Sequence, residues 1–211
     1  MEQGSDLVVT DGLGGVAEGS IARISSGRVV ARVFKRVRWP RFGPELSVYQ
    51  GAPKGAKADE VVERLAELGV ADITLFSSER TVVRWNTTKV TRLKERWQAR
   101  ARAAAARSHN PHAAQIRGVL SWERLLAAVG SEPCTFVLSP QAPGGLREEV
   151  PPGAARVALV VGPEGGFSEP EVTQLEHLGG RAVTLGSLVL RTENAGAAAV
   201  AALLWHFGRM G

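Results

Sequence analysis

The sequence predicts an α/β protein, a parallel sheet with helices on both faces, preceded by a small β region. Three observations carry this. From residue 46 onward, β-prone runs alternate with helix-period segments. Runs such as Leu159-Val160-Val161 are apolar without alternation, as strands buried on both sides are. Residues 1–50, in contrast, offer only short β-prone runs broken by glycine.

In chain order, Leu7-Val8-Val9, Ile21-Ala22-Arg23-Ile24 and Val29 to Val33 read as strands, with turns at Gly12, Gly14-Gly15 and Ser25-Ser26-Gly27. So few strands are marginal alone, so this part is expected to pack on the rest or to be incomplete. Arg28, Arg32 and Lys35 follow no spacing that assigns them to one strand face. The character changes at Pro40-Arg41-Phe42-Gly43-Pro44, which divides the chain into an expected 1–43 domain and a 44–211 domain.

Leu46 to Tyr49 then reads as a strand. Lys57 to Leu68 reads as a helix with Val61, Leu65 and Leu68 on one face and Gly69 just past its end. Asp72 to Phe76 is a strand. Val90 to Ala106 is a helix with the stripe Val90, Leu93, Trp97, Ala101 and Ala104, a spacing that makes Trp97 a core residue rather than a base-stacking platform. Ser121 to Val129 is a helix, Thr135 to Leu138 a strand, and the Gly/Pro-rich stretch Ala142 to Pro152 a loop. Arg156 to Val161 and Ala182 to Leu185 complete the strands, and no internal repeat is evident.

A 44% hydrophobic, 22% charged composition is that of a protein with a core. The formal net charge of +5 is unevenly spread. Ser20 to Pro44 holds seven basic residues and no acid; the acid-free stretch between Glu95 and Glu123 holds Arg96, Arg100, Arg102, Arg107 and Arg117. These are either solvated basic faces or a phosphate-contacting surface. The single cysteine, Cys134, excludes a disulfide within the chain and fits a reducing cytoplasm. No Cys/His cluster has zinc-ligand spacing, so no metal is expected. Glu2 and Asp6 without an apolar run predict no signal peptide. The longest apolar stretch, Ala195 to Leu204, falls short of the roughly 20 residues that span a bilayer, so no membrane partner is expected.

Two segments carry the chemistry. Each reads as a buried strand ending in a small-residue loop that runs into a helix. In the first, Gly162-Pro163-Glu164-Gly165-Gly166 precedes Ser168-Glu169-Pro170-Glu171, a capping box that starts a helix. It has neither the P-loop ending nor the dinucleotide fingerprint, and Glu164 makes it a poor phosphate cradle. It suits a ligand with hydrogen-bonding edges and a positive charge. In the second, Leu190-Arg191-Thr192-Glu193-Asn194 precedes Ala195-Gly196-Ala197-Ala198-Ala199, small residues that let a helix approach other backbone closely. Arg191 and Glu193 are either a surface ion pair or polar groups lining an apolar pocket.

Both loops, in this order, resemble those of the RsmE family of SPOUT-class methyltransferases. Lys54-Gly55-Ala56-Lys57, Glu67-Leu68-Gly69-Val70, Ser78-Glu79-Arg80-Thr81 and Arg96-Trp97-Gln98 extend the resemblance, and Gly4-Ser5-Asp6-Leu7 through Val33 resembles the later part of that family's N-terminal PUA-like β-barrel. The resemblance implies a SPOUT-type parallel sheet with a C-terminal deep trefoil knot, S-adenosylmethionine (SAM) as cofactor, and methylation of N3 of a uridine in small-subunit (16S) ribosomal RNA. It further implies a homodimer formed through the knotted domain, with the PUA-like region helping to hold RNA.

Carried over by position, the cofactor is expected among Leu138-Ser139-Pro140, Gly162-Pro163-Glu164-Gly165-Gly166, and Leu185-Gly186 with Val189-Leu190-Arg191-Thr192. Arg191, Glu164 and Glu193 are the candidate catalytic residues, and Arg23, Arg28, Arg32, Arg107 and His109 the candidate RNA contacts. The chain departs from the family at its N-terminus, where the first barrel strand is not matched; either the start is misassigned or the barrel is truncated. It departs again at Arg107-Ser108-His109-Asn110 and at Ser187-Leu188. These differences fall mainly on the RNA side and leave open a knotted enzyme for another RNA position, or a non-catalytic RNA-binding paralogue.

Overall fold

The computed structural model describes residues 2–55, 57–81 and 87–210, so Ala56 of the Lys54–Lys57 motif lies outside the described residues. The first three strands, β1 (Asp6–Thr10), β2 (Gly15–Ser25) and β3 (Arg28–Arg38), form an antiparallel sheet in the order β1-β2-β3. A register shift near Phe34 leaves one extra residue in β3, because Glu18 faces Lys35 while Gly19 faces Val33. A bulge reverses side-chain parity. It therefore returns Lys35 to the face that carries Arg28 and Arg32, and Arg23, opposite Val30, lies on that face too. The irregular spacing of these cations along the sequence is thus the trace of a bulge, and they share one face after all.

After Arg38 the chain enters a second sheet. Its elements are β4 (Glu45–Gly51), α1 (Lys57–Glu67), β5 (Asp72–Phe76), α2 (Thr87–Arg107), β6 (Gln115–Leu120), α3 (Trp122–Val129), β7 (Thr135–Leu138), α4 (Leu146–Glu149), β8 (Arg156–Val161), α5 (Glu169–His177), β9 (Gly180–Val183) and α6 (Thr192–His206). All pairings are parallel, in the order β6-β5-β4-β8-β7-β9. The strand order reverses beside β4, where β8 inserts next to it.

Alternation along the central strands explains the two helical layers. Leu46, Val48, Val157, Leu159 and Val161 face the side of α1, α2 and α6, whose Val61, Leu65, Trp97, Ala101 and Val200 complete that core. Tyr49, Ala158 and Val160 face the side of α3 and α5, with Leu125 and Leu175. Trp97 is fully buried, and its indole N–H donates to Asp59 Oδ1 at 2.9 Å. Ser121 caps α3, and Glu171 accepts the Ser168 N–H at 2.9 Å, the returning half of the expected capping box.

The sequence reading missed β6, whose Gln-Ile-Arg-Gly-Val-Leu run is neither alternating nor uniformly apolar; a strand at the sheet edge needs less apolar surface. The stretch 142–152, expected as loop, holds the helical turn α4. The last strand lies two residues earlier than expected, at Gly180–Val183.

The basic stretch around α2 is largely consumed by packing. Arg96 and Arg100 pair with Asp59, Arg100 and Arg107 with Glu63, Arg107 also with Glu67, and Arg117 with Asp72. Trp97→Ala would open a cavity between α1 and α2. It is expected to cost about 3–5 kcal/mol in urea unfolding, and a loss under 1 kcal/mol would contradict the packing described here.

Candidate functional site

A cavity of about 460 Å³ opens at the carboxyl ends of β7, β8 and β9, where the loops that follow these strands converge. Open α/β sheets bind ligands at such strand ends. The first two loops come directly off their strands. Leu138, Ser139 and Pro140 line the cavity after β7; Gly162, Pro163, Glu164 and Gly166 line it after β8. Gly165 does not line it; its carbonyl accepts from Arg80 at 2.9 Å. The Ser78–Thr81 segment thereby braces the loop from behind, and Glu171 accepts the Glu79 N–H as well.

The third loop departs from expectation. The apolar stretch Leu185 to Leu190 is not a buried strand. β9 ends at Val183, and Leu188 and Val189 are 80% and 78% exposed. A short apolar run reads as a strand when neighbours are ignored, but this one has passed the end of the sheet. Leu185, Val189, Leu190, Arg191 and Thr192 do line the cavity. Gly186 turns the loop with a φ of +119°, which side-chain-bearing residues rarely adopt, and Thr184 Oγ1 bonds to both its N–H and its carbonyl.

Beneath the loops, the backbones approach as closely as glycine permits. A Cβ on Gly51, the last residue of β4, would lie 2.4 Å from the nitrogen of Pro163. The Thr192 hydroxyl donates to the Gly162 carbonyl and accepts from the buried Gln50 amide at 2.8 Å. One side chain at the start of α6 thus ties the second motif to the first. Gly196, a turn later, packs over Gln50 and Val161.

The cavity wall is mostly apolar, with a few polar groups converging on it. Lys57 Nζ, at the start of α1, lies 3.1 Å from Glu193 Oε1 and 4.0 Å from Glu164 Oε1. Glu164 Oε1 also accepts the Lys54 N–H at 2.9 Å. The sequence reading overlooked Lys57 and Thr184. Lys57 belongs to a motif noted in the sequence, but only folding brings α1 against α6. Glu193 is buried, and its Oε2 has no hydrogen-bond partner in the protein. A hydrogen bond from its own backbone N–H, opposed by burial and reinforced by Lys57 and Arg191, holds its carboxyl below the ordinary carboxylate range. Glu193 is therefore ionised.

The candidate RNA contacts lie elsewhere. Arg23, Arg28 and Arg32 are exposed on one face of the three-stranded sheet. Arg107 is engaged with Glu63 and Glu67, and His109 is exposed just beyond α2.

Because folding lowers the Glu193 carboxyl, its contribution to stability is present above the ordinary carboxylate pKa and lost as pH falls through the folded value. Thermal unfolding of wild type and Glu193→Gln should therefore show the difference shifting against wild type as pH falls below the ordinary carboxylate value of about 4.3. A difference independent of pH would remove this account of Glu193.

Residues 41–204 match the family model for the RNA methyltransferase domain. The chain is 32% identical to ribosomal RNA small subunit methyltransferase E of Mycobacterium bovis, over 95% of this chain and 78% of that protein. It is 28% identical to the protein of the same name from Bacillus subtilis, over 98% and 84%. Among solved structures, a Legionella pneumophila protein in complex with its bound cofactor SAM superposes with a TM-score of 0.89 at 29% identity, over 97% of this chain and 84% of that one. By fold, site and sequence together, this chain belongs to the RNA methyltransferase family that includes the ribosomal RNA small subunit methyltransferase E proteins.

Proposed function

We propose that the protein transfers a methyl group from S-adenosylmethionine to N3 of a uridine in small-subunit ribosomal RNA. The observation that carries this reading is the loop-built cavity with an ionised Glu193 among its lining residues. Its volume falls in the range of small-molecule sites, and an apolar wall with a few fixed polar groups suits a ligand of mixed character.

The residues present fit this cofactor. Main-chain groups near Leu185, Gly186 and Leu190 would hold the adenine, and the loops at Leu138–Pro140 and Gly162–Gly166 would enclose the remainder. Bound there, S-adenosylmethionine supplies an electrophilic methyl on a positively charged sulfur. The chain supplies alignment and electrostatics. Glu193, held ionised, complements positive charge and is correspondingly a weak proton acceptor. Glu164, partly exposed nearer the solvent, is the better placed of the two carboxylates to take the N3 proton. Arg191 provides the positive charge that the base needs as it loses that proton.

The architecture in this reading is SPOUT-type. Residues 44–211 form the catalytic domain, and α6 threads a loop to make a deep trefoil knot. The close approaches of Gly51 to the Pro163 main chain and of the Thr192 hydroxyl to the Gly162 carbonyl support such a threading. Residues 1–43 act as a PUA-like RNA-holding module through the Arg23, Arg28 and Arg32 face, with Arg107 and His109 as further contacts. The exposed Leu188 and Val189 beside the cavity mouth are suited to burial against a second copy of the chain, which supports a homodimer. No helix among the described residues is long and apolar enough to cross a membrane. The lone cysteine, a free thiol, suits a reducing cytoplasm.

Two outcomes test this reading. Gly51→Ala forces a methyl against Pro163 and should weaken SAM binding at least about fivefold by calorimetry, since overpacking of about 1–3 kcal/mol falls on a loop that lines the cavity; unaltered affinity would detach that crossing from the site. Arg191→Ala should lower methyl transfer to unmodified small-subunit RNA about 100-fold, as loss of one charge-stabilising group does, with the product mapped by mass spectrometry. Full activity would remove Arg191 from the mechanism, a methyl at another position would redirect the substrate, and RNA binding by wild type without transfer would favour a binding paralogue.

A further inference from the structure

A second cleft, of about 170 Å³, lies where the three-stranded sheet meets the larger one. Glu45, Leu46 and Ala71 line it, so it sits at the amino ends of β4 and β5. The methyl-donor cavity is at the opposite end of the sheet, and the seven residues of β4 alone span about 20 Å.

Trp39 is the centre of this cleft. Its N–H donates to the Gly14 carbonyl at 2.8 Å, and its own carbonyl is bonded to His112 Nε2 at 3.0 Å. The strand-turn around it is pinned to the second domain as well, since the Gly14 N–H donates to Pro111 and the Ala113 N–H to Gly12, each at 3.0 Å. Its backbone is thus fixed from both sides, yet the indole is 51% exposed, and Phe42 beside it is 63% exposed. Packing does not account for two large aromatic rings left in solvent at a rigid junction.

The charge around the rings is positive. Arg41 and Arg209 line the same cleft. Arg209 donates to the Pro44 carbonyl at 3.3 Å and has no acidic partner among the described residues. Arg41 has only a long 3.9 Å pairing with Glu45, which also pairs with Arg156 at 3.3 Å. Burial, and then the charge of Arg41, lower the pKa of Arg209, as two cations sharing one cleft require. Arg38 lies on the adjoining surface. Exposed aromatic faces among such cations are the means by which proteins hold unpaired nucleotides.

We propose that this cleft is a subsite for a single-stranded nucleotide of the RNA substrate, its base stacked on Trp39 and its phosphate between Arg41 and Arg209. The proposal rests on the RNA-methyltransferase reading for the identity of the strand. It assigns the junction the task of anchoring RNA at a distance from the reacting base.

The test is fluorescence anisotropy with labelled dodecauridylate and with a duplex of equal length, on the full chain. Trp39→Ala should weaken binding of the single strand at least about fivefold, the low end for one base–aromatic stack, with little change for the duplex. Trp39→Phe should restore most of it. Arg41→Ala should reduce the slope of log affinity against log salt by about 0.7, one phosphate contact on a single strand, whereas Trp39→Ala leaves that slope unchanged. SAM affinity by calorimetry checks the fold. Should Trp39→Ala lose it, Trp39→Leu, which keeps bulk without a flat ring, takes its place under the same criteria. Wild-type affinity for dodecauridylate in the Trp39 variant, or equal losses on single strand and duplex, overturns the subsite; a cleft that serves a protein partner instead would give the first of these. Methyl transfer by wild type is scored separately, so an inactive enzyme would count against the proposed function while the oligonucleotide comparison still decides the subsite.

Discussion

The site depends on one bridging side chain. The Thr192 hydroxyl takes a hydrogen bond from Gln50 on β4 and gives one to Gly162 at the end of β8. These three residues come from distant parts of the chain, and the contact fixes where α6 starts relative to two strands of the central sheet. The loop after β8 and the start of α6, two of the segments that line the cavity, are held together at that point. Gly51 and Gly196 flank it because neither a Cβ at position 51 nor a larger residue at 196 leaves room for the crossing.

Polar burial near this point is tolerated because it is shared. Gln50 is fully buried and ends in two hydrogen bonds from its amide nitrogen, while its oxygen has no partner. Glu193 shows the same asymmetry, with one oxygen on Lys57 and the other free. A buried polar atom without a partner costs about 1–3 kcal/mol. Lys57 keeps the carboxylate from being an isolated buried charge, and Arg64 anchors the same turn of α6 through the Glu193 carbonyl at 3.3 Å and the Asn194 side chain.

The far end of the sheet is built on a different principle. There Arg156 gathers Glu45, Glu132, Asp72 and Ser47, and Tyr49 donates to Glu132 at 2.8 Å. Burial and the Glu132 carboxylate raise the pKa of the Tyr49 phenol, so it stays a neutral donor. The accessible positive charge of that end, Arg41 and Arg209, lies at the junction around Trp39.

Much of the fold was legible along the chain because it is local. Apolar runs, the Lys57–Leu68 periodicity, the Ser121 cap and the Ser168–Glu171 capping box depend on neighbours within a turn or two, and they place most helices and strands and both motif loops. Folding decided what depends on distant partners. Leu185 to Leu190 is as apolar as a strand but lies past the sheet, with Leu188 and Val189 exposed. Gln115 to Leu120 lacks a strand's pattern but pairs with β5 at the edge. Lys57 joins the site because α1 packs on α6, and Arg107 is held by acids on α1 that composition cannot place beside it. Arg28, Arg32 and Lys35 look misaligned until a bulge realigns them. The sequence by itself determined the element types and the two loops that carry chemistry, since backbone preference and side-chain period act over a few residues; the tertiary structure alone decided which charges remain free and which face one another, since ion pairing depends on distance in space, not on separation along the chain.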